Sequence, residues 1–133
     1  MSDNLFEAKL DVAVNDKQAL YHLLSESVES TSYDKLIKLM EARETDGSIE
    51  IAEEVILPHI ESSLLKESKV LIIRPQQKLT WSTEIKKVKL IIVIFLKENE
   101  NDTKKKRISQ FTRKLADEDY LKALMQDKTI EFN

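Results

Sequence analysis

The spacing of apolar positions predicts two helices in the first third of the chain. Apolar side chains recur every three or four positions in segments 16–30 and 32–46, which is typical of helices with one buried face. Asn15 or Asp16 is a candidate cap for the first helix. The loose alternation in Leu5–Val14 before it predicts a first strand or an edge segment.

Three later segments have strand patterns. Residues 48–55 alternate isoleucine with glutamate, and Val70–Ile73 is a short apolar run. Val88–Leu96 is almost continuously aliphatic, which indicates a central strand covered on both faces. Between segment 48–55 and Val70–Ile73, we expect a turn or short helix from Pro58-His59 through Leu65.

The last third of the chain predicts a polar loop at 98–103 and two helices. These helices cover Thr103–Ala116 and Asp117–Gln126, and Asp117 is a plausible cap for the second one. Strands and helices thus mix without a repeat or a linker. The sequence predicts an α/β fold in which residues 1–133 form a single-domain sandwich, with a mixed β-sheet covered by helices on both faces.

Composition narrows the possible functions. The chain has 133 residues, 41% of them hydrophobic, so it can bury a real core. It has no cysteine and only two distant histidines, so we expect no metal site. The net charge of −3 argues against nucleic acid as a partner. No apolar run is long enough for membrane insertion and no leader pattern is present, so we expect a cytoplasmic protein.

The single glycine, Gly47, also restricts the chemistry. Glycine-rich phosphate loops and dinucleotide fingerprints need more than one glycine, so any phosphate must be held by side chains and helix ends. Gly47 follows the second helix, where we expect a left-handed conformation that closes the helix end.

Two residues are candidates for phosphoryl transfer. His59 follows Pro58 directly, and a neutral imidazole is a nucleophile near neutral pH. Arg43 shares the helical phase of the apolar residues Leu36 and Met40, and a guanidinium fits phosphate oxygens. Alternatively, Arg43 lays its stem along the core and places its head in water or on Asp46. The second histidine, His22, falls on the solvent side of its helix and is given no role.

Motifs in a fixed order resemble a known family. Ala42-Arg43-Glu44, Gly47, Ile56-Leu57-Pro58-His59 and the later run from Leu115 to Leu121 are similar to the enzyme IIA domains of the mannitol and fructose type. These domains belong to the bacterial sugar phosphotransferase system. The resemblance covers nearly the whole chain, from about Leu5 onward.

The resemblance implies a role for each candidate. Such a domain accepts a phosphoryl group from the histidine-containing phosphocarrier protein and passes it to a sugar-specific IIB component of a membrane transporter. His59 would be the accepting histidine and Arg43 the residue that stabilises the phosphoryl charge. Several members have a second histidine where this chain has Lys104, so we expect Lys104 to lie within reach of a phosphate on His59. Alternatively, Lys104 lays its stem along the core or pairs with Glu98 or Glu100. No cofactor is implied.

Departures from the family pattern leave a second interpretation open. Ala52, Glu53 and Glu54 stand where glycines are usual, so we expect ordinary dihedral angles there, and bulky Ile60 follows the histidine. These features favour a regulatory domain that docks partners or senses phosphorylation without carrying flux. In both interpretations we expect the partner surface around His59, with Ile56, Leu57 and Ile60 at its rim.

Overall fold

A mixed sheet with helices on both faces is the framework of the protein, seen in a computed structural model that describes residues 5–130 apart from the side chain of Asp46. Within that range there are six strands and four helices. In chain order they are β1 (Phe6–Val12), α1 (Lys17–Ser27), α2 (Tyr33–Asp46), β2 (Glu50–Ala52), β3 (Val55–Ile56), β4 (His59–Ser62), β5 (Lys69–Pro75), β6 (Leu90–Lys97), α3 (Asp102–Lys114) and α4 (Glu118–Gln126).

Strand β6 is the centre of the sheet, as its aliphatic sequence predicts. The strand order is β1-β5-β6-β3-β2, and β4 also pairs with β6. Strand β6 is antiparallel to β5 and parallel to both β3 and β4. The short strands β3 and β4 therefore run along the same edge of β6, one after the other, with Leu57 and Pro58 between them.

Alternation along the central strands divides the core in two. In β5, Leu71 and Ile73 face a cluster that includes residues of α1 and α2, whereas Val70 and Ile72 face residues of α3 and α4. Both faces of the sheet are thus covered, and the predicted α/β sandwich is confirmed. Buried helix residues in the core include Leu20, Leu24, Leu36 and Met40 on the first face and Ile108, Phe111, Leu121 and Leu124 on the second.

Side-chain caps fix where the helices begin. Asp16 accepts a hydrogen bond from the Ala19 N–H at 2.8 Å, and Asp117 accepts from two backbone N–H groups of α4, as the sequence predicts. Ser32 and Asn101 cap α2 and α3 in the same way. Each cap satisfies a backbone donor that has no partner inside its helix.

The prediction of a turn or short helix after Pro58 is wrong. Residues His59–Ser62 form strand β4, with His59 and Glu61 exposed and Ile60 and Ser62 buried. The Pro58 carbonyl accepts a hydrogen bond from the Ile94 N–H at 3.0 Å, which brings β4 into line beside β6. The period-two pattern is only four residues long, too short to stand out against the preceding proline.

The prediction for Gly47 is also wrong. Its φ of 167° and ψ of 170° describe an extended residue rather than a left-handed one. A Cβ atom at this position would meet nothing within 4 Å. The chain therefore leaves α2 directly in the extended conformation that leads into β2, and glycine is not required there.

In residues 5–130, no helix combines the length and the apolar character needed to cross a bilayer.

Candidate functional site

His59 is the first residue of β4 and lies opposite Ile94 of β6 in the sheet register. The next residue, Ile60, points into the core on the α1 and α2 side, so His59 projects toward the face covered by α3. Its side chain stays accessible because β4 lies at the margin of the sheet. Strand geometry therefore presents the imidazole at the surface.

A cleft of about 600 Å³ lies between β4, β6 and α3, and His59 is part of its wall. The apolar part of the lining comes from the sheet and from the buried side of α3. The polar part of the lining comes from β4 and from α3. The apolar lining consists of Leu57, Ile94, Leu96 and Ile108, and the polar lining of His59, Glu61, Lys105, Ser109 and Thr112.

Burial and a neighbouring cation hold the pKa of His59 below its usual value. Partial burial disfavours the charged imidazolium and is the larger cause, followed by the positive charge of Arg43. The carboxylate of Glu61 acts in the opposite direction but does not outweigh them. His59 is therefore neutral at pH 7, which is the form of imidazole that acts as a nucleophile.

Arg43 lies in the last turn of α2 and is exposed. The helical phase of α2 predicts that Arg43 points inward. Met40 packs in the core, but Arg43, about one turn later, is exposed to solvent. Its charge is nevertheless close enough to lower the pKa of His59. Arg43 has no ion pair or hydrogen bond with a described side chain; the alternative partner, the Asp46 side chain, lies outside the described atoms. The structure thus places the Arg43 charge within electrostatic range of the His59 ring.

Glu44, directly after Arg43, holds the end of α2 in place. Its carboxylate accepts hydrogen bonds from Trp81 Nε1 at 2.9 Å, Lys17 Nζ at 3.1 Å and the Tyr21 hydroxyl at 3.4 Å. The Lys17 ammonium also lies 4.6 Å from the centre of the Trp81 ring. The sequence analysis missed this cluster, because its members are 23 to 37 residues from Glu44 along the chain. The signal that could have suggested it was the lone tryptophan in a polar loop.

Lys104, which we expect within reach of a phosphate on His59, does not line the cleft. Lys105, and not Lys104, is among the residues that line the His59 cleft. Lys104 is half-buried, and its charge helps to lower the pKa of the buried carboxyl Glu100. In α3, Ile108 lines the cleft but Lys104 and Phe111 do not, and the helical stripe that borders the cleft begins at Lys105. A phosphate-binding role for Lys104 remains a prediction that this geometry does not favour.

Two of the three residues expected at the rim of a partner surface are buried. Ile56 is 0% exposed and Ile60 is 7% exposed, and both belong to the core cluster on the α1 and α2 side. Only Leu57 is partly exposed, and it lines the cleft beside His59. Ile56 ends β3 and Ile60 is the second residue of β4, and both side chains face the α1 and α2 side of the sheet.

The segment expected to contain only ordinary dihedral angles contains a left-handed residue. Glu54, in the turn between β2 and β3, has a φ of 65°, a region that favours glycine. Its carboxylate pairs with Lys78 at 2.8 Å. Glu53 and Glu54 line a different groove, against α4. Neither of them lines the His59 cleft, so they do not repel a phosphoryl group from inside it.

His22 lies on the surface as predicted, with its Nε2 atom 2.8 Å from Glu26 Oε1. Among residues 5–130, no group of three or more histidine and acidic side chains is placed to hold a metal ion.

The fold is similar to that of several solved proteins. It matches a nitrogen regulatory protein IIA-Ntr from Neisseria meningitidis with a TM-score of 0.71 and 22% identity over 94% of this chain and 90% of that one. It matches mannitol enzyme IIA from Escherichia coli, in complex with phosphorylated enzyme IIB, with a TM-score of 0.65 and 17% identity over 95% and 93%. The crystal structure of mannitol IIA from the same organism gives 0.62 and 16% over 92% and 89%.

By sequence the chain matches no curated protein significantly. A family model does match it, over residues 4–132 and thus over almost its whole length. That family is described as "Phosphoenolpyruvate-dependent sugar phosphotransferase system, EIIA 2". The region that matches includes Arg43, Glu44 and the Pro58-His59 pair. The chain therefore belongs to the EIIA 2 family of the phosphoenolpyruvate-dependent sugar phosphotransferase system.

Proposed function

We propose that the protein is a phosphoryl carrier that holds the transferred group on His59. The observation that supports this most strongly is the arrangement around His59, a neutral and accessible imidazole at a strand edge with the Arg43 charge close by. His22, the other histidine, lies on the surface beside Glu26 and has no comparable surroundings. The family belongs to a phosphotransferase system, and phosphoryl transfer is the reaction that this arrangement suits.

The transfer step exchanges one phosphorus–nitrogen bond for another. The unprotonated ring nitrogen of His59 attacks the phosphorus of the donor's phosphohistidine with its lone pair. A phosphorus–nitrogen bond to His59 forms while the donor's bond breaks, and the leaving imidazole keeps the bond electrons. That imidazole takes up one proton and the His59 ring gives one up, through solvent. The fixed charge of Arg43 stabilises the phosphoryl oxygens during the step.

The proposed donor is the histidine-containing phosphocarrier protein and the proposed acceptor is a sugar-specific IIB component. Support for the acceptor comes from one similar structure, which is a complex of mannitol IIA with phosphorylated IIB. The reaction would take place in the cytoplasm, where the phosphoenolpyruvate that supplies the phosphoryl group is made. No small cofactor takes part, because two protein histidines and fixed positive charge suffice for the step.

The test is a reconstituted phosphorylation reaction. The protein is incubated with phosphoenolpyruvate, the general phosphotransferase enzyme and the phosphocarrier protein, and its intact mass is then measured. We expect the mass of one phosphoryl group to be added to the wild type and to His22→Ala. His59→Ala should gain none while keeping the wild-type circular dichroism spectrum. Labelling of folded His59→Ala would contradict the proposal.

A regulatory role is the second candidate, and the similarity to a nitrogen regulatory protein IIA-Ntr favours it. Bulky Ile60 no longer supports it, since Ile60 points into the core and does not obstruct His59. The two roles differ in the fate of the phosphoryl group. A flux carrier passes the group to a IIB component on every turnover, whereas a regulatory domain stays phosphorylated in the presence of IIB components and changes its affinity for another partner.

A further inference from the structure

We propose that Lys105 contacts the phosphoryl oxygens on His59, so that cations from two helices hold the group: Arg43 from α2 and Lys105 from α3. This inference rests on the proposed role of His59 and adds a residue to its site. The observation behind it is that Lys105 and His59 line the same cleft, one from the helix and one from the strand.

The position of Lys105 on α3 suits this role. Lys105, Ser109 and Thr112 recur at spacings of four and three, and all three line the cleft, so this stripe of α3 faces His59. Lys105 is exposed, and its ammonium has no hydrogen bond or ion pair with the described residues. It is therefore available for an anion that arrives in the cleft.

The neighbouring cations of α3 are less suitable. The Lys104 charge acts on the buried Glu100 carboxylate, and the Arg107 guanidinium lies 5.3 Å from the centre of the Phe6 ring. Lys106 is exposed but is rotated about 100° from Lys105, away from the stripe that lines the cleft. Among these four consecutive cations, Lys105 is the one that the helix directs into the His59 cleft.

The N-terminus of α3 does not replace a side-chain cation. The Lys104 N–H already donates to the Asn101 side chain at 2.8 Å, so a backbone donor at the helix start has a partner inside the protein. Within the cleft, the groups on the α3 side that can interact with an anion are the Lys105 ammonium and the hydroxyls of Ser109 and Thr112.

Lys105 would act only after the phosphoryl group arrives. Arg43 and Glu61 are the charges that influence the pKa of His59, and Lys105 is not among them. The unphosphorylated, uncharged ring offers the Lys105 ammonium no anionic partner. A phosphoryl group adds negative charge and oxygen acceptors to that ring, and the flexible lysine stem lets the ammonium reach them.

The experiment compares Lys105→Ala with Lys106→Ala, a matched loss of one exposed lysine from the same helix. In each variant we would measure the rate of phosphorylation by the phosphocarrier protein, the lifetime of the phosphorylated form and the 31P chemical shift. Lys105→Ala should slow transfer on the order of tenfold or more, as expected for the loss of one charge stabiliser. It should shift the 31P signal and leave the pKa of unphosphorylated His59 unchanged, and Lys105→Arg should recover part of the rate.

Each other outcome has a defined meaning. Wild-type rates, lifetime and 31P shift in Lys105→Ala would overturn the inference about Lys105 while the proposed function stands. An equal slowing in Lys105→Ala and Lys106→Ala would also overturn it, because a diffuse attraction between the basic helix and the donor would then explain the effect. If Lys104→Ala is slow and Lys105→Ala is not, the assignment belongs to Lys104. A wild type that takes up no phosphoryl group would contradict the proposed function itself.

Discussion

At the scale of single residues, the proposed phosphoryl transfer requires a neutral His59. Burial and Arg43 lower its pKa, and Glu61 raises it. The folded state therefore binds the imidazole proton less tightly than the unfolded chain, in which histidine has a pKa of about 6.5. As the pH falls below that value the unfolded state takes up the proton first, so His59 reduces stability in acid and contributes nothing at alkaline pH.

The pKa of His59 can be measured directly by an NMR titration of its ring protons. We expect a midpoint below about 6.5 in the wild type, the usual value for histidine. Arg43→Ala should raise the midpoint because a nearby positive charge is lost, and Glu61→Gln should lower it because a negative charge is lost. A His59 midpoint that does not respond to either substitution would show that the two charges do not act on the ring.

Arg43 should matter more for transfer than for stability, because it is exposed and has no partner among the described side chains. We expect Arg43→Ala to reduce the phosphorylation rate on the order of 10²-fold, by analogy with other fixed charge stabilisers. Arg43→Lys should restore the rate only in part, because it lacks the planar fork of the guanidinium. The unfolding midpoint in urea should change little in both variants. A large loss of stability with a normal rate would assign Arg43 a structural role instead.

At the scale of helices and strands, the position of Arg43 depends on the Glu44 cluster. Glu44 connects α2 to Lys17 and Tyr21 of α1 and to Trp81 in the loop between β5 and β6. These contacts fix the end of α2, and Arg43 is the residue before Glu44. By holding the end of α2, the cluster also holds the Arg43 charge that lowers the pKa of His59.

Removing the Glu44 carboxylate should therefore affect both stability and the site. In Glu44→Ala the Trp81 indole N–H loses its acceptor, so we expect a loss on the order of 1–3 kcal/mol in the free energy of unfolding. Glu44→Gln keeps an acceptor and should lose less. Urea unfolding followed by the fluorescence of Trp81, the only tryptophan, measures both variants. Equal stability of Glu44→Ala and the wild type would mean that the cluster does not hold α2.

Helices and strands with long patterns were predictable from the sequence, and short or irregular ones were not. The aliphatic run of β6 and the apolar spacing of α2 each extend over eight or more residues, so burial alone determines them. Strand β4 has only four residues, and its pairing with β6 depends on a partner that lies more than thirty positions away. Gly47 shows a related limit, since its extended conformation follows from the strand that comes next and not from its own residue type.

At the scale of the whole molecule, the proposed site draws on three separate segments. Arg43 comes from the end of α2, His59 from the start of β4, and Lys105 from the first turns of α3. The sequence identified the first two because histidine and arginine are chemically distinctive. It suggested Lys104 on α3, whereas Lys105 is the residue that lines the cleft. Helical phase alone does not say which side of an inward-facing stripe borders a cleft. It also placed Ile56 and Ile60 on the surface, since the depth of a strand in the sheet is set by tertiary packing.

The most direct test of the site is to locate the phosphoryl group on the protein itself. The chain has two histidines, so a protein with 15N-labelled imidazole rings offers His22 as an internal control in the same spectrum. After incubation with the phosphorylated phosphocarrier protein, we expect phosphorus coupling to a ring nitrogen of His59 and an unchanged His22 signal. Coupling at His22, or transfer of the phosphoryl group without coupling to either ring, would contradict the assignment of His59 as the carrier residue.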